Sequence, residues 1–492
     1  MLGICRQISS QKGESLVSSR RSRRFFPTRA EGGSSEGIDT SLVNWVVDKG
    51  GSVSDAIQLT PTTDQGYGLS TGRSIAAGDK LIFLPKSAIL TYNLEGGDDH
   101  PGLVTLINQV PEDLWGAKLG LRLLRERCFG QSSSFWPYIS ALPSGIHGLP
   151  IFYDGPTLKA LQYPYLIDQV LKRCQFLAEF SVKYLEPAAV EDPSTFNSQT
   201  PDINAFGWSL AAVSSRAFRV YGPRNPAGLL PLIDMCNHTF DPNCKVRLAS
   251  GGLGVDLVAI KPLDAGTPLT LCYGELPNDF LLLDYGFVDP TNPYDAVKLA
   301  FSSVVDSVVA TAEDEDQYAQ QPKPWQIDLI AQLGLTRTSE VEIGGGSKDP
   351  IGWKMLAATR ILCATNQAQV RGRELRSLGD ISKPLTDGRS ERRARRVLAS
   401  ICALALASFP TTSEEDEAEL QACEPTDGDL KLAIRFRMGK KRILVNAIRA
   451  IAELAAGEAV EEVGIKQSGW KKNKNKPGSG PKKSKGFGGS SR

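Results

Sequence analysis

Between Leu229 and Asp289 lies the stretch around which the rest of the chain is organised: LLPLIDMCNHTFDPNC, a hairpin-like segment, then LTLCYGELPNDFLLLDYGFVD. It sets an Asn-His pair, Asn237 and His238, and two tyrosines, Tyr273 and Tyr285, in one compact, mostly apolar region. His238 is one of only three histidines in 492 residues, and it follows a polar amide in a run that reads as buried. Buried polar side chains need partners. Taken alone, the dipeptide suits a core turn whose side chains cap backbone groups. Either tyrosine alone suits a core aromatic with a buried ring and a wet hydroxyl. The four together, in this order, suit an active site.

The order is Asn237-His238, two strand-like runs (Lys245 to Leu248, Val255 to Ile260), the run Leu269 to Tyr273, then Gly274 and DYGF at 284 to 287. This resembles the C-terminal half of a SET domain, the fold of most protein-lysine methyltransferases. The resemblance is nearest to the plant Rubisco large-subunit methyltransferase-like group. That group shows an NH pair after a proline and an aspartate, then YG, then LLxxYGF. The matching residues here are Pro231, Asp234, Asn237, His238, Tyr273, Gly274, Leu281, Leu282, Tyr285, Gly286 and Phe287. Relatives often have Ser-Asn after YG where this chain has Pro277-Asn278. The asparagine is kept, so the turn is expected to survive.

The fold class implied is α+β: a β-rich SET domain of small sheets with a knotted C-terminal segment, split by a helical insert and followed by an all-α substrate-binding domain. At 492 residues two or three domains are expected. Lys plus Arg number 56 against 55 acidic residues, so no global field favours nucleic acid or membrane. The nine cysteines include no CxxC and no zinc-like Cys/His spacing, and read as reduced thiols. No apolar run is long enough for a membrane span.

The first 37 residues differ from the rest. Before Glu31 there are seven basic residues, six serines and one acid, Glu14. Arg- and Ser-rich, acid-poor openings read as transit peptides, and composition alone equally fits a basic tail. With the resemblance, a chloroplast stromal protein is expected, the leader occupying 1–37.

Residues 38–290 are assigned to the SET domain, opening with the short helix Ser41-LVNWVVDKGG. Gly66-Tyr67-Gly68-Leu69 and the Ala77-Gly78-Asp79 turn follow the family's G-x-G-L, strand, turn, strand order, in which glycine backbone lies against S-adenosylmethionine. Residues of about 101–204 form the helical insert, with apolar positions of Leu114-WGAKLGLRLLRER at helical spacing. Phe135-WPYISALPSGIHGLPIFY reads as packed loop, and His100 and His147 as surface or loop residues. Phe206-GWSLAAVSSRAFRVYG returns to the core with Ser215, Arg216, Ala217 and Phe218 matching the family's S-R-A-F.

Residues 303–460 resemble the Rubisco-LSMT substrate-binding domain. Thr412 with Glu415 has a capping-box pattern. Apolar residues surround Val397-LASICALALASF, which suits a buried helix. The stretch 466–492, with eight lysines, one arginine and no acid, is expected to be disordered, with weak nucleic-acid contact as its sharper use.

The resemblance implies S-adenosylmethionine-dependent methylation of a lysine on a stromal protein such as Rubisco large subunit or aldolase. Tyr285 and Tyr273 would be catalytic. Gly66, Tyr67, Gly68, Arg216, Asn237, His238 and Tyr285 would hold the cofactor, while Ser215, Phe218, Asp234 and Tyr273 would meet the substrate. No metal or membrane is expected, and the protein is read as a monomer. Two alternatives stand beside this: a protein-histidine methyltransferase, and a non-catalytic scaffold of plastid transcription or nucleoids.

Overall fold

The computed structural model describes residues 40–61, 67–92, 100–220, 226–310, 321–344, 350–385 and 387–471. The expected leader 1–37 and Gly66 lie outside the described residues. Among the described residues helix accounts for 54% and strand for 13%, because the insert and the later chain are helical around small sheets. Among the described residues no helix is long and apolar enough to cross a membrane.

Two compact units are formed, one from residues up to 298 with 344–348 and 407–443, the other from 299–343, 349–406 and 444 onward. Residues 407–443 fall within the sequence range 303–460, yet they pack into the first unit.

The strands of the first unit that position the site are, in chain order, β1 (Ser52–Val53), β2 (Ile57–Pro61), β3 (Tyr67–Thr71), β4 (Lys80–Pro85), β5 (Leu90–Thr91), β6 (Ala217–Phe218), β7 (Gly228–Leu229), β8 (Asn237–His238), β9 (Cys244–Leu248), β10 (Gly254–Ala259) and β11 (Thr270–Leu271). An antiparallel sheet has the order β1-β4-β10-β9. Its centre, β10, is buried along its whole length, as an interior strand packed on both faces requires. β2 and β3 form a hairpin, β5-β7-β6 a three-stranded sheet, and β8 pairs with β11 in parallel. Parallel neighbours need a crossover connection, and here the β9–β10 hairpin supplies it.

The insert contains helices Pro101–Asn108, Trp115–Phe129, Trp136–Ala141, Gly155–Ala160, Pro164–Phe180 and Glu186–Glu191. Proline sits at the start of several of these, where its missing N–H costs nothing. Leu103, Leu121, Leu124, Leu177 and Phe180, joined by Phe206 of the returning segment, give the insert an apolar core. The segment from Phe135, read from sequence as packed loop, holds the helix Trp136–Ala141, because Pro137 falls in its first turn, where proline is tolerated. His147 is exposed, whereas His100 caps Pro101–Asn108 by accepting from the Gly102 N–H through Nδ1 (3.2 Å).

In the second unit the helices Phe301–Ala310, Pro324–Gln332 and Trp353–Cys363 accompany the strand Glu340–Gly344. Buried Arg360 forks onto Glu391 (2.9 and 2.7 Å) and donates to the Leu378 and Asp380 carbonyls. The helix Gly388–Ala407 is not buried all round: Val397, Leu398, Ile401 and Cys402 face the core, while Leu404 is 65% exposed. Small alanines at the end of that helix make its apolar surface too slight to demand full burial. The last helix, Gly428–Lys471, runs into the Lys-rich stretch from 466, where the first proline is Pro477. Residues 472–492 lie outside the described residues.

Candidate active site

Two turns carry the functional side chains. The first runs from Leu230 to His238 and passes through Leu232 at φ +66°, a left-handed conformation that strains a branched residue. The short helical turn Ile233–Met235 follows and drives Asp234 into the interior. Tyr138 donates its hydroxyl to Asp234 Oδ2 (2.6 Å), and Arg216 donates to the Asp234 carbonyl (3.1 Å) with its guanidinium 3.8 Å from the same carboxylate oxygen. Asp234 Oδ1 is buried without a hydrogen-bond partner. Burial pushes the Asp234 carboxyl above the usual carboxylate range, against the pull of the Arg216 charge.

Arg216 is the last residue of the helix Ile203–Arg216, and its side chain remains 23% exposed. Ser215, one residue earlier, turns its hydroxyl back onto the Ala211 carbonyl of its own helix (2.9 Å). Phe218 lies in β6 opposite Gly228 and packs against the main core.

His238 sits in β8 opposite Leu271, and its Nδ1 accepts from the Tyr273 N–H (3.1 Å). In the neutral ring the proton is then assigned to Nε2, which is buried with no partner. Burial lowers the His238 pKa, outweighing Asp289, so the ring is a neutral donor near pH 7. Asn237 beside it is exposed.

The second turn is Asn278–Phe280 followed by the π-helical turn Leu281–Tyr285, ended by Gly286 at φ +77°. It presents Tyr285 to Tyr273, the two rings stacking at 4.8 Å and 25°. His238 lies 5.1 Å from the Tyr273 ring and 5.8 Å from Phe287, and meets Phe240 edge-on at 4.5 Å. Tyr273 donates its hydroxyl to the Cys236 carbonyl (2.7 Å). Burial pushes the Tyr285 phenol up to about 12 and the Tyr273 phenol higher still, so both stay protonated.

Asn278 holds this turn to the following loop. Its backbone N–H and side-chain Nδ2 donate to Asp295 (both 3.0 Å), Nδ2 also reaches the Asp289 carbonyl (2.9 Å), and its Oδ1 accepts from Asp289 N (3.1 Å) and Asn292 (3.2 Å). Pro277 precedes the helical turn in extended conformation, so its replacement of serine is accommodated.

Of the Gly66–Gly68 segment, Gly68 is described as a buried residue of β3 opposite Thr60, and Tyr67 as its first residue. β3 runs beside the strand entering β11, with Leu269 N–H bonded to the Leu69 carbonyl (2.7 Å), and it also packs against Ile233–Met235. The chain thus gathers His238, Tyr273 and Tyr285 into one aromatic cluster and Arg216 with Asp234 into a charged one. The turn 234–238 joins them, and both charges act on the Tyr273 phenol. Sequence reasoning missed Tyr138 and the ring of Phe240, and it named Phe287 only within the YGF match, without its contact to His238. A buried tyrosine always needs an acceptor, but nothing local to residue 138 points to residue 234.

Residues 66–274 match the family model described as SET domain, and residues 318–444 match the model described as Rubisco LSMT substrate-binding. An actin-histidine N-methyltransferase of Homo sapiens is 25% identical over 472 residues, covering 90% of this chain and 71% of the relative. One of Gallus gallus is 24% identical over 464 residues with the same coverage. Among solved structures, the SET domain of LSMT bound to lysine and AdoHcy superposes with a TM-score of 0.61 at 18% identity, covering 84% of this chain and 90% of that one. Rubisco LSMT bound to AdoMet gives 0.58 at 20% identity, covering 84% and 91%.

Proposed function

We propose that this chain, which carries a SET domain and after it a Rubisco LSMT-type substrate-binding domain, is an S-adenosylmethionine-dependent protein methyltransferase acting on lysine. The observation that carries the reading is the stacked Tyr273–Tyr285 pair beside neutral His238.

The residues present fit the cofactor. An amino acid end needs donors for its carboxylate and an acceptor for its ammonium. Arg216 offers a guanidinium on a side chain that is 23% exposed, Asp234 Oδ1 is a buried acceptor without a partner, and His238 Nε2 is a buried donor without one. The exposed Asn237 amide and the buried Gly68 backbone on β3 complete the candidate set. When bound, S-adenosylmethionine supplies a methyl group on a sulfonium, and transfer exchanges the S–C bond for an N–C bond at the substrate amine.

The chain's own residues supply the conditions for that exchange. Free lysine titrates near ~10.4, so an amine must lose its proton before it can attack. Aromatic walls attract the incoming ammonium through their faces while stripping its water. A dry site favours the neutral amine. Tyr273 donates its hydroxyl hydrogen bond to the Cys236 carbonyl, so its oxygen lone pairs are left as acceptors for an amine N–H or a polarised methyl C–H. Tyr285 keeps its phenol proton and can orient the amine from the opposite ring.

Histidine is the second reading, favoured by the 25% identity to actin-histidine methyltransferases over 90% of the chain. An imidazole would also stack on these rings. The plastid stroma remains the proposed location, resting on the basic, Ser-rich composition of residues 1–37, and a stromal protein the proposed substrate.

The test is purified protein with labelled S-adenosylmethionine and a stromal extract, alongside Tyr285→Phe. Label on one protein, abolished by the substitution, supports the enzyme. Mass spectrometry of the labelled peptide separates lysine from histidine. Loss of both cofactor binding and labelling in the wild-type protein would favour the scaffold.

A further inference from the structure

Helix residues 428–443 reach the Tyr285 turn at both of its ends, directly at its start and through Gly148 at its end. At its start, the Lys440 ammonium is fully buried against Asp279 as an ion pair and donates to Asp295 Oδ1 (2.7 Å) and the Ala296 carbonyl (2.7 Å). Asp295 in turn accepts from both nitrogens of Asn278. Burial alone would depress the ammonium, but Asp279 and Asp295 together hold it above the ordinary lysine value.

At its end, Asp429 Oδ1 accepts from the Gly148 N–H (2.9 Å). Gly148 and Gly286 meet backbone to backbone. A Cβ on Gly148 would lie 2.2 Å from the Gly286 carbonyl oxygen, and both glycines have positive φ. Leu432 closes the same spot, 3.1 Å from that Cβ position. Gly286 directly follows Tyr285.

We propose that Lys440 and Asp429 are positioning residues for Tyr285, the helix between them acting as a two-point clamp on residues 278–286. The proposal rests on the methyl-transfer reading of the stacked tyrosines. Eleven residues of helix separate the two contacts, about 16 Å at the helical rise, which spans the turn end to end. The clamp has a local reason. A π-helical turn is rare and poorly held by its own hydrogen bonds, so Leu281–Tyr285 depends on outside contacts for its geometry. A buried ion network adds little net stability over apolar packing, but it permits only one arrangement of the groups it joins. The clamp lies within residues 318–444, so the segment whose family is named for substrate binding also fixes the tyrosine.

The test uses the full chain with Asp429→Ala, Asp429→Asn and Lys440→Met. For Asp429→Ala, kcat is expected to fall by about 10- to 100-fold, the scale of a small misplacement of a reacting group, with KM for the protein substrate and cofactor affinity nearly unchanged. Asp429→Asn, which keeps an acceptor oxygen, is expected to restore most of kcat. Hydrogen exchange is read in parallel on peptides covering 281–289 and is expected to rise in Asp429→Ala and Lys440→Met. Lys440→Met is scored only if it remains folded by circular dichroism, and Asp429→Ala decides otherwise. Unchanged exchange at 281–289 in Asp429→Ala overturns the clamp even if no substrate is ever found. A rise in KM with kcat intact also overturns it and assigns the segment to docking alone. Wild-type protein without methyl transfer, but with the exchange effect present, refutes the enzymatic reading and leaves the clamp standing.

Discussion

The hydroxyl of Tyr273 is tied to the Cys236 carbonyl at 2.7 Å, while its stacking partner Tyr285 makes no such bond to any described residue. The two tyrosines are therefore not equivalent. Removing the Tyr273 hydroxyl breaks a buried interaction, and removing that of Tyr285 breaks none among the described residues. Tyr285→Phe should leave thermal unfolding unchanged and lower kcat by about 10²- to 10³-fold, the scale of one lost transition-state hydrogen bond. Tyr273→Phe should cost about 1 kcal/mol of stability besides its effect on rate. Denaturant unfolding beside steady-state kinetics checks both.

Tyr138 is the donor that makes the buried Asp234 tolerable. Tyr138→Phe keeps the ring and strips the proton, leaving a buried carboxyl whose other oxygen already has no partner. The expected destabilisation is about 1–3 kcal/mol, measured by denaturant unfolding, with S-adenosylmethionine affinity falling in the same variant. Unchanged stability would mean that Arg216 alone satisfies Asp234.

Asn278 gathers five hydrogen bonds around the base of the Tyr285 turn. Asn278→Ala removes the side-chain bonds and leaves Asp289 N–H and one Asp295 oxygen short of partners. A loss of about 2 kcal/mol is expected by denaturant unfolding, with a parallel fall in kcat. Asn278→Asp should do worse, because it sets a second negative charge against Asp295.

Much of this was legible in the chain because the signals are local. The Thr412–Glu415 capping box forms as spelled, Thr412 N–H to Glu415 Oε2 at 2.7 Å and Glu415 N–H to Thr412 Oγ1 at 3.2 Å. The runs at 245–248 and 255–260 became β9 and β10 within a residue, since alternation and turn glycines act over short distances. What escaped the sequence was set by distant partners. The Tyr138–Asp234 bond joins residues 96 apart, and Lys440 meets Asp295 across 145. The strained Leu232 leaves no trace either, because a leucine offers no hint of positive φ.

His238 gives a pH dependence of stability. Burial lowers its folded-state pKa below the ordinary 6.5. Between the folded and unfolded values the unfolded chain binds the extra proton and the folded one does not, so stability rises with pH there. Above 6.5 both states are neutral and the contribution is complete. Stability should therefore fall as pH drops below that value, and the fall should be shallower in His238→Gln. Melting curves between pH 5 and pH 8 (a window of about one and a half units on either side) would show it, and identical slopes for the two proteins would refute it.

The same logic separates the two candidate substrates. Tyr285 titrates only near 12, and His238 is neutral through the working range, so neither group limits the rate on the alkaline side. The rising limb of log(kcat/KM) then belongs to the nucleophile. A lysine amine keeps gaining neutral fraction up to its own value near ~10.4, giving a unit slope from neutrality to about pH 10. A histidine, with an ordinary value near ~6.5, reaches its plateau by about pH 7.5. The lysine reading predicts the long unit-slope limb. A profile flat above pH 7.5 (about one unit past the imidazole value) would assign the slot beside Tyr273 and Tyr285 to an imidazole.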